Sequence, residues 1–320
     1  MRTAFINALL EQAGEDERVW LLVGDLGFGV VEPFAERFPE RYINVGVAEQ
    51  NMVGLAAGIA LSGNVAFTYS IANFPTLRCL EQIRNDVCYH QANVKIVSVG
   101  GGFAYGALGM SHHATEDIAI MRALPNMTVV APGDPVEAAA ATHAVIQWPG
   151  PCYLRLGRAG EPTVHESAID FHIGKAITVQ EGRDIALICT GGILKRGMEV
   201  AEAVKARGIS TRVLSMHTIK PLDADAVLAA ARETRVVATL EEHSVLGGLG
   251  GAVAEVLAES AEGHVSFTRI GLDSAFATVV GDQEYLRREF GLSAEAIADR
   301  LEAQLIASQR IHGDKRKGPR

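Results

Sequence analysis

The sequence predicts an α/β protein built from two doubly wound, mostly parallel sheets. Three observations carry that class. Short β-branched runs such as VWLLVGD, NVAFTYS, VKIVSV and DIALICTGG alternate with segments of helical periodicity. The alternation occurs twice, on either side of a stretch without a long periodic helix, YLRLGRAGEPTVHESAIDFHIGKA. A chain of 320 residues also suits two domains of about 150 residues better than one. The expected division is a first domain over 1–165, a linker over 166–180, a second domain over 181–308 and a disordered basic tail over 309–320.

In order, the first unit reads as a helix to about Gly14, strand VWLLVGD, helix VEPFAERF and strand YINVGV. A helix from about Ala48, strand NVAFTYS and helix LRCLEQIRNDVCYH come next. Strands VKIVSV and MTVVAP and helix PVEAAAATHAVIQW complete it. The second unit runs from DIALICTGG through helix GMEVAEAVKARG, strand STRVLSM, helix DADAVLAAARE, strand RVVATLEE, helix GGAVAEVLAES and strand VSFTRIG to a closing helix, SAEAIADRLEAQLIA.

Composition excludes several classes. A formal net charge of −9 argues against a nucleic-acid or anionic-lipid footprint, although basic residues gather in RIHGDKRKGPR at the end. No apolar run approaches the ~20 residues of a membrane span. Four cysteines without a CxxC pair, and an N-terminus lacking the pattern of a signal peptide, point to a reducing cytoplasmic setting.

Chemistry is suggested by position. In parallel α/β sheets ligands bind beyond the carboxyl ends of the strands, and Glu49 directly follows YINVGV. By position alone it reads more readily as a first-turn carboxylate favoured by the helix dipole. Asp25 in LVGDLGFG, another strand-end acid, fits a turn as well as a site. The adjacent His112 and His113 do not make a metal site, because sequence neighbours point apart and no Cys or carboxylate spacing completes a ligand set. Among the glycine-rich stretches, VSVGGGFAYGALG fits close approach of backbone to a ligand, while VLGGLGGAVAE lacks the Lys-Ser/Thr of a phosphate loop.

The segments GVAEQNMVGLAAGIALSG, TYSIANFPTLRCLEQIRNDVCYHQANVKIV, GALGMSHHATEDIAIMRALPNMTVVAPGDPVEA and GPCYLRLGR occur in that order, followed by RDIALICTGG and LEEHSVLGGLGGAVAEVLAE. Together they resemble the transketolase family, in its pyrimidine-binding and C-terminal domains. The resemblance implies thiamin diphosphate as cofactor, with Glu49 hydrogen-bonded to the pyrimidine N1′ so that the cofactor's own amino group can activate its thiazolium carbon. It also implies that Phe74 packs on the aminopyrimidine and that Asp25 lies near the cofactor. Ile71 and Leu77 stand where relatives carry further aromatics, so the expected pocket is more aliphatic. His112 matches the histidine that reaches substrate oxygens near the reacting carbon. The distal phosphate contacts of sugar-phosphate relatives survive as Arg2 and Arg158, but a Ser and a His become Gly29 and Gly100, and a hydroxyl-reading Asp becomes Leu108. Those departures imply an unusual acceptor.

No GDG segment of the kind that holds the diphosphate and Mg²⁺ occurs in the chain. The resemblance therefore implies the C-terminal half of a split enzyme. Its expected partner is a diphosphate-binding subunit that supplies most Mg²⁺ ligands, joined with it in a heterotetramer, and its substrates are a ketose donor and an aldehyde acceptor. The competing expectations are a β-type subunit of a 2-oxo acid dehydrogenase E1 and a non-catalytic relative.

Overall fold

In the computed structural model, which describes residues 1–260 and 265–314, two open sheets carry helices on both faces. The first part of the chain forms α1 (Arg2–Glu15), β1 (Val19–Val23), α2 (Glu32–Arg37), β2 (Tyr42–Asn44), α3 (Glu49–Leu61) and β3 (Val65–Ile71). A helical stretch follows that begins as a 3-10 turn at Leu77–Cys79, passes through α4 (Leu80–Gln82) and ends as a π-helix at Ile83–Cys88. The expected long α-helix here is therefore broken into three geometries. Then come β4 (Val94–Val99), α5 (Asp117–Ala123), β5 (Thr128–Val130), α6 (Pro135–Gln147) and β6 (Cys152–Leu156).

The second part contains β7 (Ile177–Gln180), β8 (Ile185–Thr190), α7 (Leu194–Lys205), β9 (Thr211–Ser215), β10 (Thr218–Lys220) and α8 (Ala224–Glu233). It continues with β11 (Val236–Ser244), α9 (Leu249–Glu259), β12 (Ser266–Leu272), α10 (Gln283–Glu289) and α11 (Ala294–Asp314). The last helix passes Ala307, where the sequence pattern stops, so residues 309–314 of the expected disordered tail are helical. Residues 315–320 of that tail lie outside the described residues.

The first sheet has the order β10-β5-β6-β4-β3-β1-β2, parallel except for β10 against β5. Its inner strands β3, β4 and β6 are buried on both faces, as parallel strands under two helical layers must be. One face packs on α1 and α6 through Phe5, Leu9, Phe67 and Val145. The other packs on α3, the π-helical stretch and α5 through Met52, Ile83, Ile96 and Met121. The second sheet has the order β12-β11-β8-β9-β7, with β7 antiparallel to β9 at its edge.

Two features tie the units together. Strand β10 follows β9 in sequence yet extends the first sheet, and Lys220 Nζ donates to the carbonyls of Arg122 (3.0 Å) and Leu124 (2.5 Å). Residues 157–176 hold no helix or strand but are fastened down: Val164 and His165 donate their amides to Asp134 Oδ2, and Phe171 stacks on His217. The start of this stretch departs from expectation, since YLRL belongs to the central strand β6 rather than to a linker.

Candidate active site

Glu49 opens α3 just past the end of β2, at the carboxyl edge of the first sheet, and only 4% of it is exposed. Burial of a carboxylate demands partners. Arg78 Nη1 lies 3.0 Å from Glu49 Oε1, while Oε2 has no hydrogen-bond partner among the described residues. The same guanidinium lies 3.9 Å from the centre of the Phe74 ring, a cation–π contact. Phe74 in turn meets the His112 ring edge-on, with centroids 5.2 Å apart. Three of the residues singled out in the sequence, Glu49, Phe74 and His112, are thus brought together, and Arg78 links them. Sequence reasoning missed Arg78, which lies in the 3-10 turn Leu77–Cys79 just after the segment that carries Phe74.

His112 ends a 3-10 turn in the loop after β4. Its Nδ1 lies 3.0 Å from Ser111 Oγ, and Nε2 has no hydrogen-bond partner among the described residues. Burial, helped by the positive charge of Arg78 and by His113, lowers its pKa below the usual imidazole value. At neutral pH the ring is therefore neutral. His113 points the other way, as expected: it is buried, contacts the Gly106 carbonyl at 3.2 Å and packs edge-on against Phe103. Asn73 donates to the His113 carbonyl, so the strand-end turn before Phe74 is tied to the histidine loop.

The remaining expected residues surround this centre. Asp25 is exposed, takes a positive φ of 55°, and exchanges hydrogen bonds with Asn44 at the end of β2. Ile71 ends β3 half-buried, and Leu77 is exposed. Leu108 is also exposed, in the loop that carries His112. Gly29 donates its amide to Glu32. Arg2 and Arg158 form a second group on the α1 side of the sheet, where the Arg2 amide donates to the Arg158 carbonyl at 3.1 Å. Gly100, at the end of β4 with φ +97°, lies beneath the Tyr105 ring beside them.

Polar atoms near Glu49 have the pattern of a binding wall. Ser70 Oγ and Asn73 Oδ1 are buried without a hydrogen-bond partner. A Cβ on Gly24 would lie 3.7 Å from both Ser70 Oγ and Glu49 Cγ, so this glycine leaves bare backbone between β1 and the carboxylate. Orphaned buried polar atoms carry a cost unless a ligand or water meets them. A flat heteroaromatic ring with donors and acceptors on its rim, stacked on Phe74, matches these groups, and the aminopyrimidine of thiamin diphosphate is such a ring.

A buried network braces the site from the second unit. Asp117 at the start of α5 accepts from Tyr153 Oη (2.5 Å) and Arg155 Nε (2.7 Å), all three fully or nearly fully buried. Arg155 Nη2 donates to the carbonyls of Ala114 and Glu242. Glu242 accepts from the Phe103 amide and pairs with Arg287. Both ends of the loop that carries His112 are therefore fixed by charged groups spanning the two units.

Comparison with known proteins agrees with this geometry. The family description "Transketolase, pyrimidine binding domain" matches residues 1–161, and "Transketolase, C-terminal domain" matches residues 174–297. A 6-deoxy-6-sulfo-D-fructose transketolase subunit of Clostridium sp. (strain MSTE9) is 38% identical over 298 residues, covering 93% of this chain and 92% of its own. An apulose-4-phosphate transketolase subunit of Phocaeicola vulgatus is also 38% identical over 298 residues, covering 92% and 94%. The solved structure of a split gene transketolase, an inactive beta4 tetramer, superposes with a TM-score of 0.86 at 38% identity over 95% of this chain and 97% of that one. With both halves matched by family and the full length matched by relatives, this chain belongs to the transketolase family.

Proposed function

We propose that the chain is the C-terminal subunit of a split transketolase, which with a diphosphate-binding partner transfers a two-carbon ketol unit from a ketose to an aldehyde. The observation that carries this reading is the buried Glu49 set against Phe74, Arg78 and His112. The relatives' names favour ketol transfer over 2-oxo acid dehydrogenation. Two of them are named for a sulfonated and a phosphorylated sugar, which fits the departures at Gly29, Gly100 and Leu108 and favours a non-standard substrate here.

Thiamin diphosphate, when bound, supplies a nucleophilic thiazolium carbon. Glu49 would hold the pyrimidine N1′ through a carboxyl hydrogen bond, Phe74 would stack on that ring, and Ser70 and Asn73 would meet its polar rim. Arg78 fixes the Glu49 rotamer and adds positive charge beside it. Neutral His112 orients substrate hydroxyl or carbonyl oxygens and exchanges a proton at Nε2. No group of three or more His, Cys, Asp or Glu able to hold a metal ion occurs among the described residues. Mg²⁺ ligation is assigned mainly to the partner because this chain lacks the GDG segment that the family uses for it. No helix among the described residues is long and apolar enough to cross a membrane.

Phe28, Val47, Leu77, Leu108 and Met110, in the segments that follow β1, β2, β3 and β4, are all exposed. Exposed apolar groups in these strand-end loops favour an interface, and the reading includes a heterotetramer of two such chains with two partners. The test is calorimetric titration of thiamin diphosphate and Mg²⁺ into the chain alone and into its mixture with the partner. Tight binding and turnover only in the mixture are expected. Robust ketol transfer by the isolated chain would refute the split-site reading.

A further inference from the structure

The loop that carries His112 belongs to the first unit in sequence, yet its root lies in the second. Phe103, only 2% exposed, is part of the apolar core of the second unit with Leu187, Ile193, Leu240 and Leu286, and its ring lies 5.3 Å from that of Phe290. On the return of the loop, His113 packs edge-on against the same ring at 5.1 Å. Gly102 and Ala114 exchange backbone hydrogen bonds of 2.8 and 3.0 Å, an antiparallel bridge that closes residues 102–114 into one lobe. The far side of the lobe rests on α10 and the turn before it: a Cβ on Gly106 would come 2.5 Å from Leu286 Cδ1 and 2.6 Å from the Gly281 carbonyl oxygen.

One carboxylate meets the neck of this lobe. Glu242, in β11, is 4% exposed. Its Oε1 accepts from the Phe103 amide at 2.6 Å and from Gln283 Nε2 at 2.9 Å, and its Oε2 accepts from Arg287 Nε at 2.5 Å. Gly102 takes a φ of +65°, and any side chain there would collide with the carboxylate. From the other side, Arg155 Nη2 donates to the Ala114 carbonyl at 2.7 Å and to the Glu242 carbonyl at 3.1 Å. Both sides of the bridge are thus tied to β11, one through the Glu242 side chain and the other through Arg155. A buried carboxylate held by directed donors keeps one position, and fixing the Phe103 amide against it fixes the lobe. Glu49 and Phe74, by contrast, stand on α3 and on the segment after β3, elements of the first unit alone.

We propose that Glu242 is a positioning residue for ketol transfer: through the Phe103 amide and the Gly102–Ala114 bridge it sets where the His112 ring stands, so that the second unit takes part in the reaction without supplying a catalytic group. This inference rests on the transketolase reading. A misplacement of about 1 Å in a group that handles a proton costs about 10² in rate. Cofactor binding, which depends on Glu49 and Phe74, is spared.

The test uses the complex reconstituted with thiamin diphosphate and Mg²⁺, with fructose 6-phosphate and 6-deoxy-6-sulfofructose as donors and glyceraldehyde 3-phosphate as acceptor. Rates are referred to the sites counted by cofactor titration. Glu242→Gln keeps an oxygen for the Phe103 amide but loses the charge that holds Arg287. It should lower kcat about 10- to 100-fold while cofactor Kd and ketose KM stay within about twofold. Gly102→Ala pushes on the same carboxylate and leaves the Glu242–Arg287 pair in place; it should give the same split, and it serves if Glu242→Gln does not fold. In a His112→Ala background either change should cost less than about twofold more, because the ring it displaces is already gone. Hydrogen exchange of the full chain should speed up over residues 102–114 in the variants and hold over α3. Losses that multiply in the double variant, or a parallel loss of cofactor affinity, would show a merely structural role and overturn the assignment. Unchanged kcat, or unchanged exchange over 102–114, would overturn it while sparing the transketolase reading. A wild-type complex that binds no cofactor, or transfers from neither ketose, would defeat that reading and this inference together.

Discussion

Replacing Asp117 by Asn removes one charge from a deeply buried ion pair. Asp117 is 0% exposed and Arg155 4%. After the substitution the guanidinium still donates to the Ala114 and Glu242 carbonyls but has lost its anion at 2.7 Å. Breaking a buried pair from one side costs about 3–5 kcal/mol, and the central value of about 4 kcal/mol suits this geometry because Glu242, the other acid acting on Arg155, is already paired with Arg287. At roughly 2–4 °C per kcal/mol for a domain of this size, Tm should fall by about 8–16 °C at pH 7. The effect has a defined pH dependence. Burial tends to raise the Asp117 pKa, but the charges of Arg155 and His243 and the hydrogen bonds from Arg155 and Tyr153 outweigh it and hold the value below the usual carboxylate range. A lowered folded pKa means that the stabilisation is complete above about pH 4, the unfolded value, and is lost as pH falls through the folded one. The gap in Tm between wild type and variant should therefore narrow below about pH 4. Thermal unfolding followed by circular dichroism at pH 7 and pH 3 measures both. A Tm drop under about 2 °C at pH 7 would refute the argument that this pair braces the two units.

Other substitutions address the site and the second unit. Glu49→Gln keeps an acceptor for Arg78 and should leave folding and assembly intact while reducing kcat of the complex by about 10²–10⁴, the usual range for a general acid–base group; activity within tenfold of wild type would remove Glu49 from that role. Arg78→Ala should lower stability by about 1 kcal/mol, because Arg78 is 47% exposed and solvent screens its pair with Glu49, and denaturant titration of the chain reads this directly. Burial lowers the His217 pKa to about 4. A depressed folded pKa means stability is lost as pH falls from about 6.5 towards 4, by about 3 kcal/mol. His217→Gln should flatten the urea midpoint over that interval, and an unchanged slope would show that His217 does not carry it.

Much of the fold was legible because its strands are long β-branched runs with helices between them. Val94–Val99 and Ile185–Thr190 are buried along their whole length and need no partner to be recognised. Cys152–Leu156 was hidden by Arg155, a charge that reads as surface until Asp117, 38 residues earlier, is seen to neutralise it. Helix Asp117–Ala123 spans only seven residues, too few to show a period. Strand Thr218–Lys220 adds to the sheet of the other unit, a pairing no local pattern encodes. In the site, the resemblance supplied Glu49, Phe74 and His112, and the structure brings them together. Arg78 stayed invisible because its place is set by an ion pair to a residue 29 positions away. The place of Tyr105 depends on the positive φ of Gly100, which the letters GGG suggest without saying which side chain will use the room.

The rim around Glu49 bears on how a split enzyme would assemble. Phe28 and Val47 are 73% and 74% exposed, and with Leu77, Leu108 and Met110 they present the apolar area of roughly three fully exposed side chains. Covering that area would contribute about 4–9 kcal/mol from this chain's side, at roughly 1.5–3 kcal/mol per buried side chain. Association itself costs an estimated 4–15 kcal/mol, roughly, in lost translational and rotational freedom. This chain's side of the rim alone therefore roughly offsets that cost. A cofactor bound between the subunits, touching Glu49 and Phe74 on one side and the partner on the other, would add contacts that exist only in the assembled state. Linkage then requires that cofactor tighten association and that association tighten cofactor binding by the same factor. If the proposed split site holds, the cofactor's contacts would add to those of the rim, so that the complex would form most tightly where the cofactor is present and Glu49 would receive its ligand as the partner closes over it.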